Sequence, residues 1–352
     1  MNINETCYNV NPSTDTEFTP DYEQIKKLEI KRETKLLKRS CISAGVLTVS
    51  ILVALNAIAI VVMFIYLIFT LDKTLPANID SLGDNIINSI AHLSGFTLLA
   101  IVFSALNKMK LREVLIFEKV GFFRLIGLCF IGFTVCMISN ILTDMYLSNA
   151  FSLGLDLNID IETPVSNSPI EILVCFISTA VVPAFTEEFV FRGVILSNLR
   201  KYGDAFAVLA SSLLFGLMHG NFVQIPFAFV IGLVLGFATV YTNSIFPAMA
   251  IHFLNNGFSV IDDVLYTNAD SWGINTMCID IAYNLIIGVV AVFAIISLIL
   301  FAKKDRNFLK LEKYKGVLEA KTITRTFLFH PVMIFVYIVY FVESVSLMLI
   351  PI

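Results

Sequence analysis

The sequence predicts an all-α, polytopic helical membrane protein with about eight or nine transmembrane helices. Of its 352 residues, 57% are hydrophobic and only 15% are charged, whereas about 25% of the residues of an ordinary soluble protein are charged. The apolar residues are also grouped into long runs, and a helix needs about 20 of them to cross a bilayer. The first run is too long for the apolar region of a signal peptide, so we expect no cleaved signal.

Nine apolar blocks follow one another along the chain. The first comes directly after a polar N-terminal stretch, and the fourth contains charged residues. The fifth to seventh are short, and Pro226 and Pro247 interrupt two of them, which a membrane helix tolerates where its neighbours satisfy the freed backbone groups. The blocks are 41–71, 86–106, 122–147, 169–200, 204–219, 223–242, 245–261, 280–302 and 328–350.

The composition divides the chain into five parts. Residues 22–39 are expected to form a basic, partly amphipathic helix, either on an anionic membrane surface or as a solvated tail that fixes orientation. The five parts are a cytoplasmic basic tail (1–40), N-terminal transmembrane helices (41–150), a transmembrane core (165–302), a basic cytoplasmic segment (303–327) and an additional C-terminal transmembrane helix (328–352).

The distribution of Lys and Arg among the short loops predicts the orientation, because cytoplasmic loops carry an excess of both. The N-terminal tail, the loop after the second block, the end of the fourth block and the segment after the eighth are all basic. They share one side if every block crosses once, whereas the opposite loops are acidic. We therefore expect a multi-pass protein of the cell membrane with a cytoplasmic N-terminus, and nine crossings would place the C-terminus outside. Topology accounts for the basic residues, so nothing indicates nucleic-acid binding.

Charged side chains inside the blocks are concentrated in the stretch "FTEEFVFRGV", residues 185–194. A charge at the centre of a membrane helix costs about 2.5–3.5 kcal/mol on insertion scales, so these residues need an explanation. Glu188 and Arg192 are four residues apart and share a helix face, where they can form a pair. Glu187 lies about 100° away around the same helix, which leaves it free to act on another group.

Two further polar motifs lie on the fifth and seventh blocks. The fifth ends in "FGLMHG", with Phe215 and His219, and the seventh contains "HFLNN", with His252 and Asn256. A single membrane histidine or Glu–Arg pair is explained by helix packing alone. Together, however, the motifs supply a base, a second proton-handling group and donors for an oxyanion. These are the parts that hydrolysis by an activated water requires.

The three motifs resemble those of a known family. E-E-x-x-x-R, F-x-x-x-H and H-x-x-x-N occur here as "EEFVFR", "FGLMH" and "HFLNN", in that order and on successive apolar helices. This pattern is similar to that of the CPBP or Abi intramembrane proteases, which include CAAX prenyl proteases and bacteriocin-processing enzymes. The resemblance covers about residues 165–300. It implies an intramembrane endopeptidase whose catalytic core is 165–302 and whose substrate is a membrane-associated peptide or protein.

The resemblance also implies a role for each motif residue. Glu187 corresponds to the carboxylate that activates water, and His219 assists it. His252 and Asn256 correspond to the pair that stabilises the oxyanion. The family pattern does not identify the substrate. A prenylated C-a-a-X tail is the substrate of the eukaryotic members, and nothing in this sequence indicates that this protein meets one.

Glu188 and Arg192 correspond to a supporting ion pair. The family is often classified with metalloproteases, so zinc is a possible cofactor, with Glu187, His219 and His252 as candidate ligands. A catalytic zinc site needs three protein ligands and an open position, but the H-E-x-x-H helix of ordinary zinc proteases is absent from this sequence. Metal dependence stays open at this point, and the sequence favours a site without tightly bound zinc.

Two other classes of function remain as alternatives. One is a non-catalytic membrane protein of the same family, such as a bacteriocin self-immunity factor. The other is a transporter that uses Glu and His as a proton relay, which the absence of inverted repeats argues against. The block at 328–350 departs from the family, many of whose members end after the eighth helix, and its acid Glu343 has no assigned role beyond packing.

Overall fold

The computed structural model describes residues 22–70, 81–153, 168–305 and 307–349. Within these ranges the regular structure is helical, apart from an isolated bridge between Phe117 and Ser244. The predicted all-α class is therefore confirmed. The loops 71–80 and 154–167, which carry several of the acidic residues used to predict the outer face, lie outside the described residues.

Eleven helices are labelled here in chain order. The fifth is a continuous helical segment that contains π-helical turns, and the third and tenth are short. The helices are α1 Tyr22–Thr70, α2 Ser81–Leu106, α3 Leu111–Val114, α4 Phe122–Ser152, α5 Pro169–Tyr202, α6 Asp204–Met218, α7 Gln224–Thr242, α8 Phe246–Asn268, α9 Thr276–Lys304, α10 Ala320–Leu328 and α11 Pro331–Leu349.

Each of the nine predicted blocks lies largely within a helix, but the number of candidate spans is smaller. Within the described residues, seven helices are long and apolar enough to cross a membrane, namely α1, α2, α4, α5, α7, α9 and α11. Helix α6 has 15 residues, fewer than the roughly 20 that a crossing requires. Helix α8 is long but carries Asn255, Asn256, Asp262 and Asp263 from near its middle onwards. Its polar residues explain why hydrophobicity does not identify it as a span.

Turn residues separate the helices around the site. Pro169 occupies the first turn of α5, where its missing N–H costs no hydrogen bond. Gly203 has φ +100° and separates α5 from α6, a conformation that side-chain-bearing residues rarely adopt. Asn243 ends α7 in the left-handed region. The carboxamide of Asn275 caps α9 by accepting a hydrogen bond from the N–H of Met277 at 2.9 Å.

The predicted basic helix at 22–39 forms as the first part of α1, and one side of its second half packs against other parts of the chain while most of its residues are exposed. Leu37 is fully buried in a core that also includes Phe327 of α10. Glu33 accepts hydrogen bonds from the hydroxyl of Tyr314 and from the N–H of Val317. Burial and this contact with Glu33 raise the pKa of Tyr314 to about 12, so the phenol keeps its proton at neutral pH and donates it. The basic segment 303–327 is thereby fixed to α1.

Three apolar cores hold the bundle together. The largest one joins α1, α2, α5, α6, α10 and α11, and the second joins α4, α7, α8 and α9. The third, formed by Cys175, Val260 and Val264, joins α5 to α8. Helix α7 also contributes Ala228 and Val240 to the largest core. The polar residues of the three motifs lie where the first two groups of helices meet.

Helix α5 departs from regular α-helical geometry on both sides of the paired glutamates. π-Helical turns cover Ile177–Val181 and Phe189–Leu196, and an α-helical segment, Val182–Glu188, lies between them. Such turns are rare and occur frequently at functional sites. Pro183 lies in the first turn of the central segment, and because it has no N–H it cannot donate to the carbonyl of Thr179 four residues earlier.

Candidate active site

The predicted pair between Glu188 and Arg192 forms inside the bundle. The Nη1 of Arg192 donates to Oε1 of Glu188 at 2.9 Å, and both side chains are fully buried. The Nη2 of Arg192 donates to the backbone carbonyl of Gly232 on α7 at 3.2 Å. The guanidinium also lies 4.3 Å from the centroid of the Phe215 ring. The arginine therefore connects α5, α6 and α7.

His252 is the second partner of Glu188. Its Nδ1 lies 2.9 Å from the same carboxylate oxygen that Arg192 binds. A carboxylate only accepts hydrogen bonds, so Nδ1 of His252 carries the hydrogen. The other ring nitrogen, Nε2, is left for the cavity that His252 lines. Glu188 thus fixes the orientation of this imidazole from behind.

Asn256 is held in place by two hydrogen bonds. Its Nδ2 donates to the backbone carbonyl of Thr179 at 3.0 Å, to which Pro183 cannot donate. Its Oδ1 accepts a hydrogen bond from Nδ2 of Asn255 at 3.0 Å. The amide therefore joins α8 to the irregular part of α5, and one of its two N–H groups remains for another acceptor.

Glu187 lies in front of this pair rather than within it. It is 6% exposed and lines a polar cavity of about 640 Å³. Its Oε1 lies 3.6 Å from Nε2 of His92, and its Oε2 has no hydrogen-bond partner among the described residues. The structure therefore separates the two glutamates as the sequence predicted, with Glu188 paired to Arg192 and Glu187 lining the cavity.

His219 lies directly after α6, and its ring is fixed by its own backbone. Nδ1 of His219 lies 2.9 Å from the carbonyl of Phe215. Because a carbonyl only accepts, Nδ1 carries the hydrogen and Nε2 of the neutral ring keeps a free lone pair. His219 lines the same cavity as Glu187.

The cavity thus brings together four of the six predicted site residues, Glu187, His219, His252 and Asn256. The other two, Glu188 and Arg192, lie behind its wall. The lining also includes three acidic residues, Asp144, Asp262 and Asp263.

Two residues near the site were not identified from the motifs. His92, on α2, lies outside all three motifs, and the only sequence signal for it is that it is one of four histidines in the chain. Glu343, whose role the sequence left open, packs against Gly220, because a Cβ built on that glycine would lie 2.9 Å from Cδ of Glu343. Ser344 donates to the carbonyl of Gly220 at 2.9 Å. Helix α11 therefore supports the residue that follows His219.

The three candidate zinc ligands do not form a metal cluster in this arrangement. Within the described residues, no group of three His, Cys, Asp or Glu side chains is placed to hold a metal ion. Nδ1 of His252 is turned towards Glu188, and Nδ1 of His219 is engaged by the backbone, so only Nε2 of each ring is left for a ligand. We therefore derive no catalytic step through zinc.

Comparison with known proteins supports the resemblance that the motifs predicted. Residues 169–258 match the family described as Type II CAAX prenyl endopeptidase Rce1-like. A relative from Staphylococcus aureus (strain USA300), the membrane-embedded CAAX protease MroQ, is 36% identical over 107 residues, which are 28% of this chain and 42% of the relative. The match thus spans less than half of that relative's length. No solved structure gave a significant match. The predicted family recognition is confirmed, and the matched range contains all six predicted site residues.

Proposed function

We propose that this chain, whose central helices match the CAAX endopeptidase family, is an intramembrane endopeptidase that hydrolyses a peptide bond of a membrane-associated substrate. The observation that carries the proposal is Glu187, a carboxylate that is 6% exposed with one oxygen free of hydrogen bonds. It lines a polar cavity inside an apolar bundle. Burying a carboxylate inside a membrane bundle costs free energy, so its presence here indicates a function.

In the proposed reaction, Glu187 acts as the general base. It takes a proton from a water molecule as the water oxygen forms a bond to the substrate carbonyl carbon. His219 lines the same cavity, and its Nε2 lone pair can share that proton. The proton then moves to the leaving amine as the carbon–nitrogen bond breaks. General acid–base catalysis of this kind contributes roughly 100- to 10,000-fold to a rate.

His252 and Asn256 stabilise the negative charge that forms on the carbonyl oxygen. Asn256 has one N–H left after its bond to Thr179, and it lines the cavity. His252 must carry hydrogens on both nitrogens for this role, because Nδ1 already donates to Glu188. Donors fixed before the reaction do not need to reorganise as charge develops. Glu188 and Arg192 act behind the site by fixing His252.

Comparison of membrane-protein termini tests the proposal. Cells carrying the parent protein and its Glu187→Gln variant are compared by proteomics of peptide termini in the membrane fraction. We expect at least one terminus that is present with the parent and lost with Glu187→Gln, because the amide is nearly isosteric but cannot accept the proton. The matched control is Glu171→Gln, in the first turn of the same helix and outside the cavity lining, which should keep the terminus.

One result of this comparison would contradict the proposed role of Glu187. A set of termini that is identical for the parent and Glu187→Gln, at equal protein levels, would contradict the general-base role. It would favour the non-catalytic alternative.

A further inference from the structure

His92, on α2, is a third histidine that lines the cavity, together with His219 and His252. None of the three motifs lies on α2. His92 also lies outside the range 169–258 that matches the family. Its side chain is 17% exposed, and its Nε2 lies 3.6 Å from Oε1 of Glu187. This distance is within ion-pair range but too long for a direct hydrogen bond. Among the described residues, no other cationic or imidazole nitrogen lies within 4.0 Å of that carboxylate.

Two contacts fix the ring of His92. Its Nδ1 lies 3.0 Å from the backbone carbonyl of Asn88, so Nδ1 carries a hydrogen and Nε2 is the nitrogen that reaches Glu187. The ring also stacks on Phe96, with centroids 5.1 Å apart and planes 10° apart. Phe96 is fully buried, so it forms a rigid platform. The ring orientation is set before any substrate arrives.

We propose that His92 is a positioning residue for Glu187 and that it fixes the orientation of the carboxylate through its contact with Oε1. The proposal rests on the proposed function and adds a residue to it. Oε2 is itself buried and has no hydrogen-bond partner among the described residues. The contact between Oε1 and His92 is therefore the polar contact that orients the carboxylate.

Other charged or titratable groups also face Glu187. His219 follows α6, His252 lies on α8, and Glu188 and Arg192 lie on α5 itself. His252 is already committed to Glu188 and His219 to its backbone through Nδ1. His92 differs from them because it approaches Oε1 from α2.

Two substitutions separate the contact with Glu187 from the packing of the ring. In His92→Asn, the shorter side-chain amide should keep the hydrogen bond to the backbone carbonyl of Asn88, four residues earlier. It should be too short to contact the carboxylate of Glu187. The chain itself shows this geometry, because Asn107, Asn149 and Asn284 each donate to the carbonyl at that spacing at 2.7–2.8 Å. In His92→Gln, the longer amide reaches towards the former Nε2 position and can donate to Oε1. Ser94→Ala, which loses a bond within α2, is the control.

The first measurement does not depend on activity. The infrared difference spectrum between the parent and Glu187→Gln, in nanodiscs, isolates the carboxyl bands of Glu187. The same difference is recorded in the His92→Asn, His92→Gln and Ser94→Ala backgrounds. We expect the bands to shift with Asn, to stay closer to the parent with Gln and to be unchanged with Ala. Unshifted bands in His92→Asn would overturn the proposal.

The second measurement uses a synthetic peptide that spans the Glu187-dependent terminus. His92→Asn should lower kcat by about 10- to 100-fold with little change in KM, since misplacing a reacting group by about 1 Å costs about 100-fold. His92→Gln should recover part of that loss. Parent-like kcat in His92→Asn, with Glu187→Gln inactive, would refute this inference alone. If no Glu187-dependent terminus exists, the proposed function fails and the infrared result still decides the role of His92.

Discussion

The side-chain amide of Asn256 donates to the backbone carbonyl of Thr179 at 3.0 Å. Pro183, four residues after Thr179, has no N–H and cannot donate to the same carbonyl within α5. The bond from Asn256 gives this carbonyl a partner on α8. This bond aligns the helix that carries Glu187 with the helix that carries His252.

Asn256→Ala should therefore have two separable effects. Losing one oxyanion donor typically lowers kcat by about 100- to 1000-fold, and losing an interhelical hydrogen bond in a membrane protein costs about 0.6 kcal/mol. The double variant Pro183→Ala/Asn256→Ala restores an N–H that can bond Thr179 within α5. We expect it to regain thermal stability in nanodiscs but not the single-turnover cleavage rate. A cleavage rate equal to the parent in Asn256→Ala would remove the oxyanion role.

Arg192→Ala should destabilise the protein strongly. The arginine is fully buried and binds Glu188 and the carbonyl of Gly232, and removing one partner of a buried pair costs about 3–5 kcal/mol. We expect low accumulation in the membrane and a lower unfolding temperature in detergent. The control is Arg200→Ala, an arginine that is partly exposed and pairs with Asp204 at the end of α5, which should cost much less. Equal stability of the two variants would show that the buried pair does not support the bundle.

Gly220→Ala should impair the site through His219. Gly220 has φ +67°, and a Cβ there would lie 2.9 Å from Cδ of Glu343. Gly273 also has φ +67°, but a Cβ added there would have no neighbouring atom within 4 Å. Gly273→Ala therefore measures the backbone strain alone, roughly 1–2 kcal/mol.

We expect Gly220→Ala to lose more stability and activity than Gly273→Ala. Adding Glu343→Ala should recover part of the loss, because it removes the clash but not the strain. Unfolding temperature and single-turnover cleavage are the measurements. Equal losses in the two glycine variants would mean that the contact between Glu343 of α11 and Gly220 does not contribute to the effect.

The predicted orientation places the basic segment 303–327 in the cytoplasm and the turn after α8 outside. Asn268 is 1% exposed and would label poorly, so the external probe is a cysteine at Asp270, and the internal probe is a cysteine at Lys313, both of which are exposed. Cys278 is exposed as well and must be replaced first, together with the other native cysteines. A membrane-impermeant maleimide should label intact cells at position 270 and not at 313. The reverse pattern would invert the topology.

Local spacing made several features readable from the sequence. The pair between Glu188 and Arg192 follows from four-residue spacing on a helix, because that spacing puts both side chains on one face whatever surrounds it. The same holds for the positions of Phe215 and His219. The all-α class follows from composition and block length, since a bilayer leaves the backbone few other ways to satisfy its polar groups.

The tertiary structure decided what depends on distant parts of the chain. No periodicity brings His92 of α2 to Glu187 of α5, or Glu343 of α11 to Gly220, because these contacts follow from helix packing. The nine apolar blocks also include two helices that are not among the seven candidate spans of the described residues, since α6 is short and α8 carries polar residues from its middle onwards. The sequence by itself determined which chemical groups are present and which of them share a helix face. The packing of the helices decided which of those groups meet, because side chains on different helices are brought together by contacts that local spacing does not encode.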